Sequence, residues 1–252
     1  MELSTQQTRT ESQGEFPSLN DRRCEVHSLG RIAYSDARSL QRQWAAMRHS
    51  REIPDRLLLL EHPAVITLGR NARREHLLSS PETLAAEGIE LHESNRGGDV
   101  TYHGPGQLVG YPILDLARIR RDVVWYVRTL EEALIRSIAE LGLEPARRAG
   151  MTGVWIGEAK VAAIGIHISR WITTHGFALN ISTDLAAYRH IVPCGIATHP
   201  VSSLQEVLGV AIDRSDLERS VANHLGDLLG LRMQWVSAHR NYRREPCLPP
   251  MC

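Results

Sequence analysis

Apolar residues along this chain follow two rhythms, and the switch from one to the other marks out the elements. Ala37, Leu40, Trp44 and Met47 recur three and four residues apart behind Ser35 and Asp36, a spacing that lines side chains along one face of a helix. Val123, Val127, Leu130, Leu134, Ile138 and Leu141 repeat it between Asp122 and Gly142. A third stripe, Leu217, Val221, Leu225 and Leu228, runs from Ser215 to Gly230, with Glu218 three residues after Ser215 as in a capping box. A short helix is expected after Ser203, in Leu204-Gln205-Glu206. Between the stripes lie β-rich runs at residues 57–60, 64–68, 108–114, 177–181 and 231–236. The longer run 153–168, broken by Gly157 and Glu158, predicts a hairpin. Helices and strands mix without regular alternation, so the expected fold is α/β or α+β, a mixed central sheet with flanking helices, and neither a Rossmann fold nor a barrel.

The ends read differently. Residues 1–22 are expected to form a disordered leader and 237–252 a polar, proline-punctuated tail, leaving 23–236 as one catalytic domain within the 252 residues. No apolar run approaches the roughly 20 residues that cross a bilayer, and the polar N-terminus lacks a signal region, so a cytoplasmic protein with no membrane partner is expected. Lys plus Arg and Asp plus Glu both number 29, which gives no global support for nucleic-acid binding. Any acidic partner must therefore meet a local patch, for which Arg118, Arg120, Arg121, Arg147 and Arg148 are candidates.

Two residues stand apart from this ordinary background. Lys160 is the only lysine among the 29 Lys and Arg residues. Codon bias accounts for arginine excess, but a site that refuses arginine is one that needs an amine able to give up its proton. The neighbours Ala159, Val161, Ala162, Ala163 and Ile164 are small and apolar, so burial there penalises the ammonium form unless an anion compensates. Cys194 is the other. Cys24, Cys247 and Cys252 sit in polar terminal stretches, and no Cys-x-x-Cys pair occurs, whereas Cys194 lies in IVPCGI, where proline and glycine hold the backbone. A thiolate is an effective acyl acceptor. A zinc site from His190, Cys194 and His199 matches no ligand spacing, and no metal is expected.

A third feature is RGGDVTYHGPGQ, Arg96 to Gln107, with four glycines in twelve residues. Glycine adds no core volume and costs entropy on folding, so such a loop lets backbone approach a ligand or make turns. Its spacing fits neither a Walker loop nor a dinucleotide fingerprint. HGFALNIS, from His175, offers small Gly176 and Ala178 to line a cavity and Asn180 to orient a ligand.

Taken in order, EHPAVITLGR, RGGDVTYHGPGQ, KVAAIG, HGFALN and VPCGI, spanning about Leu57 to Ile196, resemble the lipoyl(octanoyl) transferases, which have the biotin/lipoate protein ligase-like fold. The resemblance implies octanoyl transfer from acyl carrier protein to lipoyl domains of 2-oxoacid dehydrogenase complexes and glycine cleavage H protein, without a cofactor. It implies Cys194 as the acyl-thioester nucleophile and Lys160 as the lysine that ionises the thiol and serves as acid/base. It assigns substrate contacts to Arg96, Gly97, Gly98, Asp99, Val100, Thr101, Tyr102 and His103, to Ala163, Ile164 and Gly165, and to Gly176, Phe177 and Ala178. Two rivals remain at this point: an ATP-dependent lipoate or biotin ligase, which needs no nucleophilic cysteine, and an inactive acyl-binding relative, against which the presence of both Cys194 and Lys160 argues.

Overall fold

The computed structural model describes residues 22–195 and 199–236, with the Cys194 side chain outside that description. The expected leader, apart from Arg22, and the expected tail lie outside the described residues. An eight-stranded sheet runs in the order β11-β1-β2-β6-β10-β9-β8-β7. Its strands are β1 (Arg23–Arg31), β2 (Asp55–Glu61), β6 (Gln107–Ile113), β7 (Pro145–Arg148), β8 (Met151–Ile156), β9 (Ala159–Ser169), β10 (Ile172–Asn180) and β11 (Arg232–Trp235). β1 pairs parallel with both β2 and β11, and the other pairs are antiparallel. A smaller sheet, β4-β3-β5, is built from β3 (Val65–Leu68), β4 (Glu90–Glu93) and β5 (Val100–His103).

The run Leu57 to Leu60 is apolar throughout because β2 is covered on both faces. Leu57 and Leu59 join a core with α3 (Val123–Ala139) and α5 (Arg214–Leu229), while Leu58 and Leu60 join one with α1 (Tyr34–His49). A satellite core of Ile66, Leu84, Ile89, Val100 and Tyr102 unites the small sheet with α2 (Pro81–Ala86). The expected hairpin forms, turning at Gly157 and Glu158 between β8 and β9. The short helix is α4 (Leu204–Leu208), capped by Ser203, whose hydroxyl accepts the Glu206 N–H at 3.2 Å.

One expected cap is displaced. α5 is capped by Asp213, which accepts N–H bonds from Ser215 and Asp216, so Ser215 lies inside the helix. Glu218 consequently closes no capping box and instead takes Arg214 Nε at 2.7 Å and the Ser28 hydroxyl at 2.8 Å. A carboxylate cap two residues earlier satisfies two N–H groups at once, which the hydroxyl would not.

Candidate active site

The glycine-rich stretch divides in two. Arg96 to Gly98 is a loop, whereas Val100–His103 is strand β5, whose alternating side chains go to opposite sides. Val100 and Tyr102 enter the satellite core, and Tyr102 meets the Tyr188 ring edge-on at 5.5 Å. Thr101 and His103 face a cavity. That cavity is a slot of about 40 Å³ between the loop (Arg96, Gly98, Asp99), β9 (Ala163, Ile164, Gly165) and β10 (Gly176, Phe177, Ala178). Of the expected contacts, Gly97, Val100 and Tyr102 are the ones that do not line it. Gly97 spends its N–H on the Ile166 carbonyl at 2.7 Å, which ties the loop to β9.

Close backbone approach explains the small residues. A β-carbon on Gly165 would stand 3.0 Å from the Gly97 carbonyl oxygen and 3.2 Å from Arg96 Cδ, and one on Gly176 would lie 2.2 Å from the Gly110 carbonyl oxygen. Arg96 is buried and anchored by Thr67. Its Nε donates to the Thr67 hydroxyl at 3.2 Å, and Nη2 donates to that hydroxyl at 2.8 Å and to the Thr67 carbonyl at 2.6 Å. These charge-assisted bonds fix the planar guanidinium as one wall of the slot.

Tyr34, Tyr111 and His175 also line the slot. Periodicity hid them, because Tyr34 opens a helix and Tyr111 sits in a strand that reads as core. The His103 and Tyr34 rings stack 6.4 Å apart at 12°. Burial drives the His103 imidazole well below its ordinary range, with His62 and Arg96 adding to the effect. Burial first, then Arg96, lowers His175 to about 3, and burial lowers His62 to about 4. All three rings are therefore neutral at pH 7. His103 Nδ1 faces Gln107 Oε1 at 2.7 Å, and because the Gln107 amide donates to Tyr102 O and Asn180 Oδ1, that oxygen must accept. His103 thus carries its proton on Nδ1 and leaves Nε2 as an acceptor.

This network leads to Lys160. Asn180, expected to orient a ligand, instead donates from Nδ2 to the Ser202 carbonyl at 3.1 Å, and Ser202 N–H donates to the Lys160 carbonyl at 3.0 Å. Lys160 N–H in turn donates to the Pro200 carbonyl at 2.9 Å. The lysine is 7% exposed on β9, three residues before Ala163, with Nζ 5.5 Å from the Trp155 ring centre. Gly153 makes room for it, since a β-carbon there would come 2.5 Å from Lys160 Cε.

Cys194 lies on the short turn Pro193–Gly195. Five residues lie between it and Pro200, whose carbonyl accepts the Lys160 N–H, so the chain reaches at most about 22 Å from that pairing to Cys194. Gly195 takes φ +69°, and a β-carbon on it would meet His76 Cε1 at 2.9 Å and Asp99 Oδ2 at 3.0 Å. His76 Nδ1 and Asp99 Oδ2 are hydrogen-bonded. No three His, Cys, Asp or Glu side chains converge on a metal geometry among the described residues.

The arginine patch looks different in space. Arg147 pairs with Glu131 and Glu132, Arg148 with Glu158, and Arg120 with Asp122 at 3.0 Å, while Arg121 lies over Trp171. Arg118 faces a separate cleft with Arg22, Arg23, Arg51 and Arg232. No helix among the described residues is long and apolar enough to cross a membrane.

A mixed sheet with helices on both faces and a slot between strands and a glycine loop is the biotin/lipoate protein ligase-like fold. Solved structures agree: lipoate-protein ligase A bound with ATP superposes with a TM-score of 0.68 at 17% identity, covering 85% of this chain and 89% of that one. The Thermoplasma acidophilum protein Ta0514, a lipoate protein ligase homologue with bound lipoic acid, gives 0.69 at 16% identity, covering 85% and 89%. At the sequence level, the family of lipoyl protein ligase A/B catalytic domains matches residues 33–226. The octanoyltransferase of Solibacter usitatus is 51% identical over 212 residues, 84% of this chain and 96% of that protein, and that of Acidobacterium capsulatum is 52% identical over 225, 83% and 92%. The chain belongs to the lipoyl protein ligase A/B family and, within it, to the octanoyltransferases, which are acyltransferases.

Proposed function

We propose that the protein moves an octanoyl group from the thioester of acyl carrier protein to the lysine amine of lipoyl domains, through an acyl-thioester on Cys194 with Lys160 as acid/base. The observation that carries this reading is that the chain's one lysine is buried on the strand that also walls the slot, and its backbone is bonded to the segment that follows Cys194. A slot of about 40 Å³ holds only about three or four waters, and its walls at Ala163, Gly165, Gly176 and Ala178 are small, which suits a thin, unbranched acyl chain.

In the first half-reaction Lys160 takes the thiol proton, the Cys194 thiolate attacks the octanoyl thioester, and the proton passes to the departing carrier thiol. In the second, an acceptor lysine amine attacks the Cys194 thioester, the acyl C–S bond breaks, and an amide forms as the Cys194 thiolate leaves and regains a proton. The donor thioester is already activated, so ATP has no role. His103, neutral and with Nε2 able to accept, and Arg96 line the slot without competing for the Cys194 proton.

Intact mass after incubation with octanoyl carrier tests the reading: an octanoyl adduct is expected on the protein and none on Cys194→Ala. Lys160→Arg is expected to fold but lose acyl transfer by several orders of magnitude, because guanidinium does not release its proton. Product that forms only with ATP, through an adenylated intermediate, overturns the reading in favour of a ligase.

A further inference from the structure

Proton counting leaves one proton per turnover to be delivered to water, while Lys160 is buried. The first half-reaction exchanges one thioester for another: Cys–SH plus acyl–S–carrier gives acyl–S–Cys plus carrier–SH, with no net proton. The second half-reaction is different. Acyl–S–Cys plus acceptor–NH3+ gives the amide, Cys–SH and one free proton, since a lysine amine arrives as an ammonium at neutral pH. Each turnover must therefore discharge one proton to water, and only in this half.

We infer that His76, held by Asp99, is the proton outlet of the second half-reaction: His76 Nε2 takes the proton shed by the acceptor ammonium and hands it to solvent. The inference rests on the acyl-thioester reading above. Its geometry starts at Asp99, which lines the slot and accepts the N–H groups of Val100 at 2.7 Å and Arg73 at 3.2 Å through Oδ1. Oδ2 faces His76 Nδ1. A carboxylate accepts, so Nδ1 carries a proton, and in the neutral ring Nε2 is the acceptor.

The pair also grips the turn that carries Cys194. A β-carbon on Gly195 would stand 2.9 Å from His76 Cε1 and 3.0 Å from Asp99 Oδ2, and the His76 carbonyl accepts the Val192 N–H at 2.8 Å. A side chain at Gly195 would evict the imidazole or the carboxylate. The His76 side chain is 17% exposed, which gives it a route to water, whereas Lys160 is buried. The imidazoles that do line the slot, His103 and His175, are held neutral by burial, His175 down to about 3, and do not take up a proton at pH 7. Around His76 the charged groups are Asp99, then Arg73, Arg74 and Glu75 on its own turn; from the neighbouring segment His190 is tied to Ser79 and Glu87.

The test separates the half-reactions in the full-length protein. His76→Asn keeps a donor for Asp99 while removing the base, and Asp99→Asn serves as the second variant. For His76→Asn, octanoyl adduct formation is expected to slow much less than the transfer step does. Transfer from the preformed adduct to a lipoyl-domain lysine is expected to slow by about 100-fold at pH 7. It should recover as pH rises toward that of the free amine, or on adding imidazole. Equal losses in both halves, or unimpaired transfer, overturn the inference while leaving the Cys194 reading intact. Absence of any adduct on the wild-type protein overturns both.

Discussion

Thr67→Val replaces a hydroxyl by a methyl of nearly the same shape and removes the anchor of Arg96. In the wild type the Thr67 hydroxyl accepts from Arg96 Nε at 3.2 Å and Nη2 at 2.8 Å, in a site where Thr67 is wholly buried and Arg96 is 7% exposed. Nη2 keeps the Thr67 carbonyl at 2.6 Å, so the main loss is the buried bond from Nε to the hydroxyl. Hydrogen bonds to a charged group contribute about 1.5–3 kcal/mol each. With one bond lost outright and one compensated, a destabilisation of about 1.5–3 kcal/mol is expected, which lowers Tm by about 3–12 °C in a chain of this size. Arg96 Cδ lies against Gly165, so the slot wall loosens as well, and the KM for the acyl donor should rise more than kcat falls. Calorimetric melting with Thr67→Ser as the hydroxyl-bearing control, followed by donor kinetics, measures both effects. A Thr67→Val midpoint within 1 °C of Thr67→Ser, with unchanged KM, refutes the role given to this anchor.

Other outcomes follow from the same coordinates. Gly176→Ala places a β-carbon 2.2 Å from the Gly110 carbonyl oxygen and 2.6 Å from Pro112 Cδ. Both belong to β6 and cannot rotate away, so soluble folded protein should be lost, and a native circular dichroism spectrum at wild-type yield would contradict the packing described. Asp213→Ala should cost about 1 kcal/mol, whereas Ser215→Ala should cost only a few tenths, because the cap is the carboxylate; comparable melting shifts for the two would return the cap to Ser215. Stability should fall as pH drops from about 6.5 toward 4. His62 and His175 remain neutral in the fold, at about 4 and 3, while the unfolded chain protonates near 6.5, so the unfolded state binds more protons across that window. Each buried ring contributes up to about 1.4 kcal/mol per pH unit, and a melting midpoint that is flat from pH 7 to pH 5 would exclude this.

Local pattern determined a good share of the molecule. The stripes behind Asp36, Asp122 and Ser215 needed only helical spacing to be found, and Gly157 with Glu158 announced the β8–β9 hairpin, because these features arise between residues a few positions apart. The single lysine and the Pro-Cys-Gly turn were visible as compositional outliers, and the small residues at Gly165, Gly176 and Ala178 in their motifs. Strands β1, β4, β5 and β7 were not legible: short or mixed in polarity, they owe their form to partners far along the chain, as β1 does to β11, which begins at Arg232. The division of Arg96 to His103 into a slot-lining loop and a half-buried strand likewise depends on which face the satellite core covers. His76 shows the limit most plainly. Nothing in Arg-Glu-His sets it apart, and it gains meaning only because folding brings it against Asp99, 23 residues later, and against Gly195, still further along the chain. Spacing along a chain encodes contacts within one element; contacts between elements are decided by how buried faces pair, and that is where the chemistry of this site was assembled.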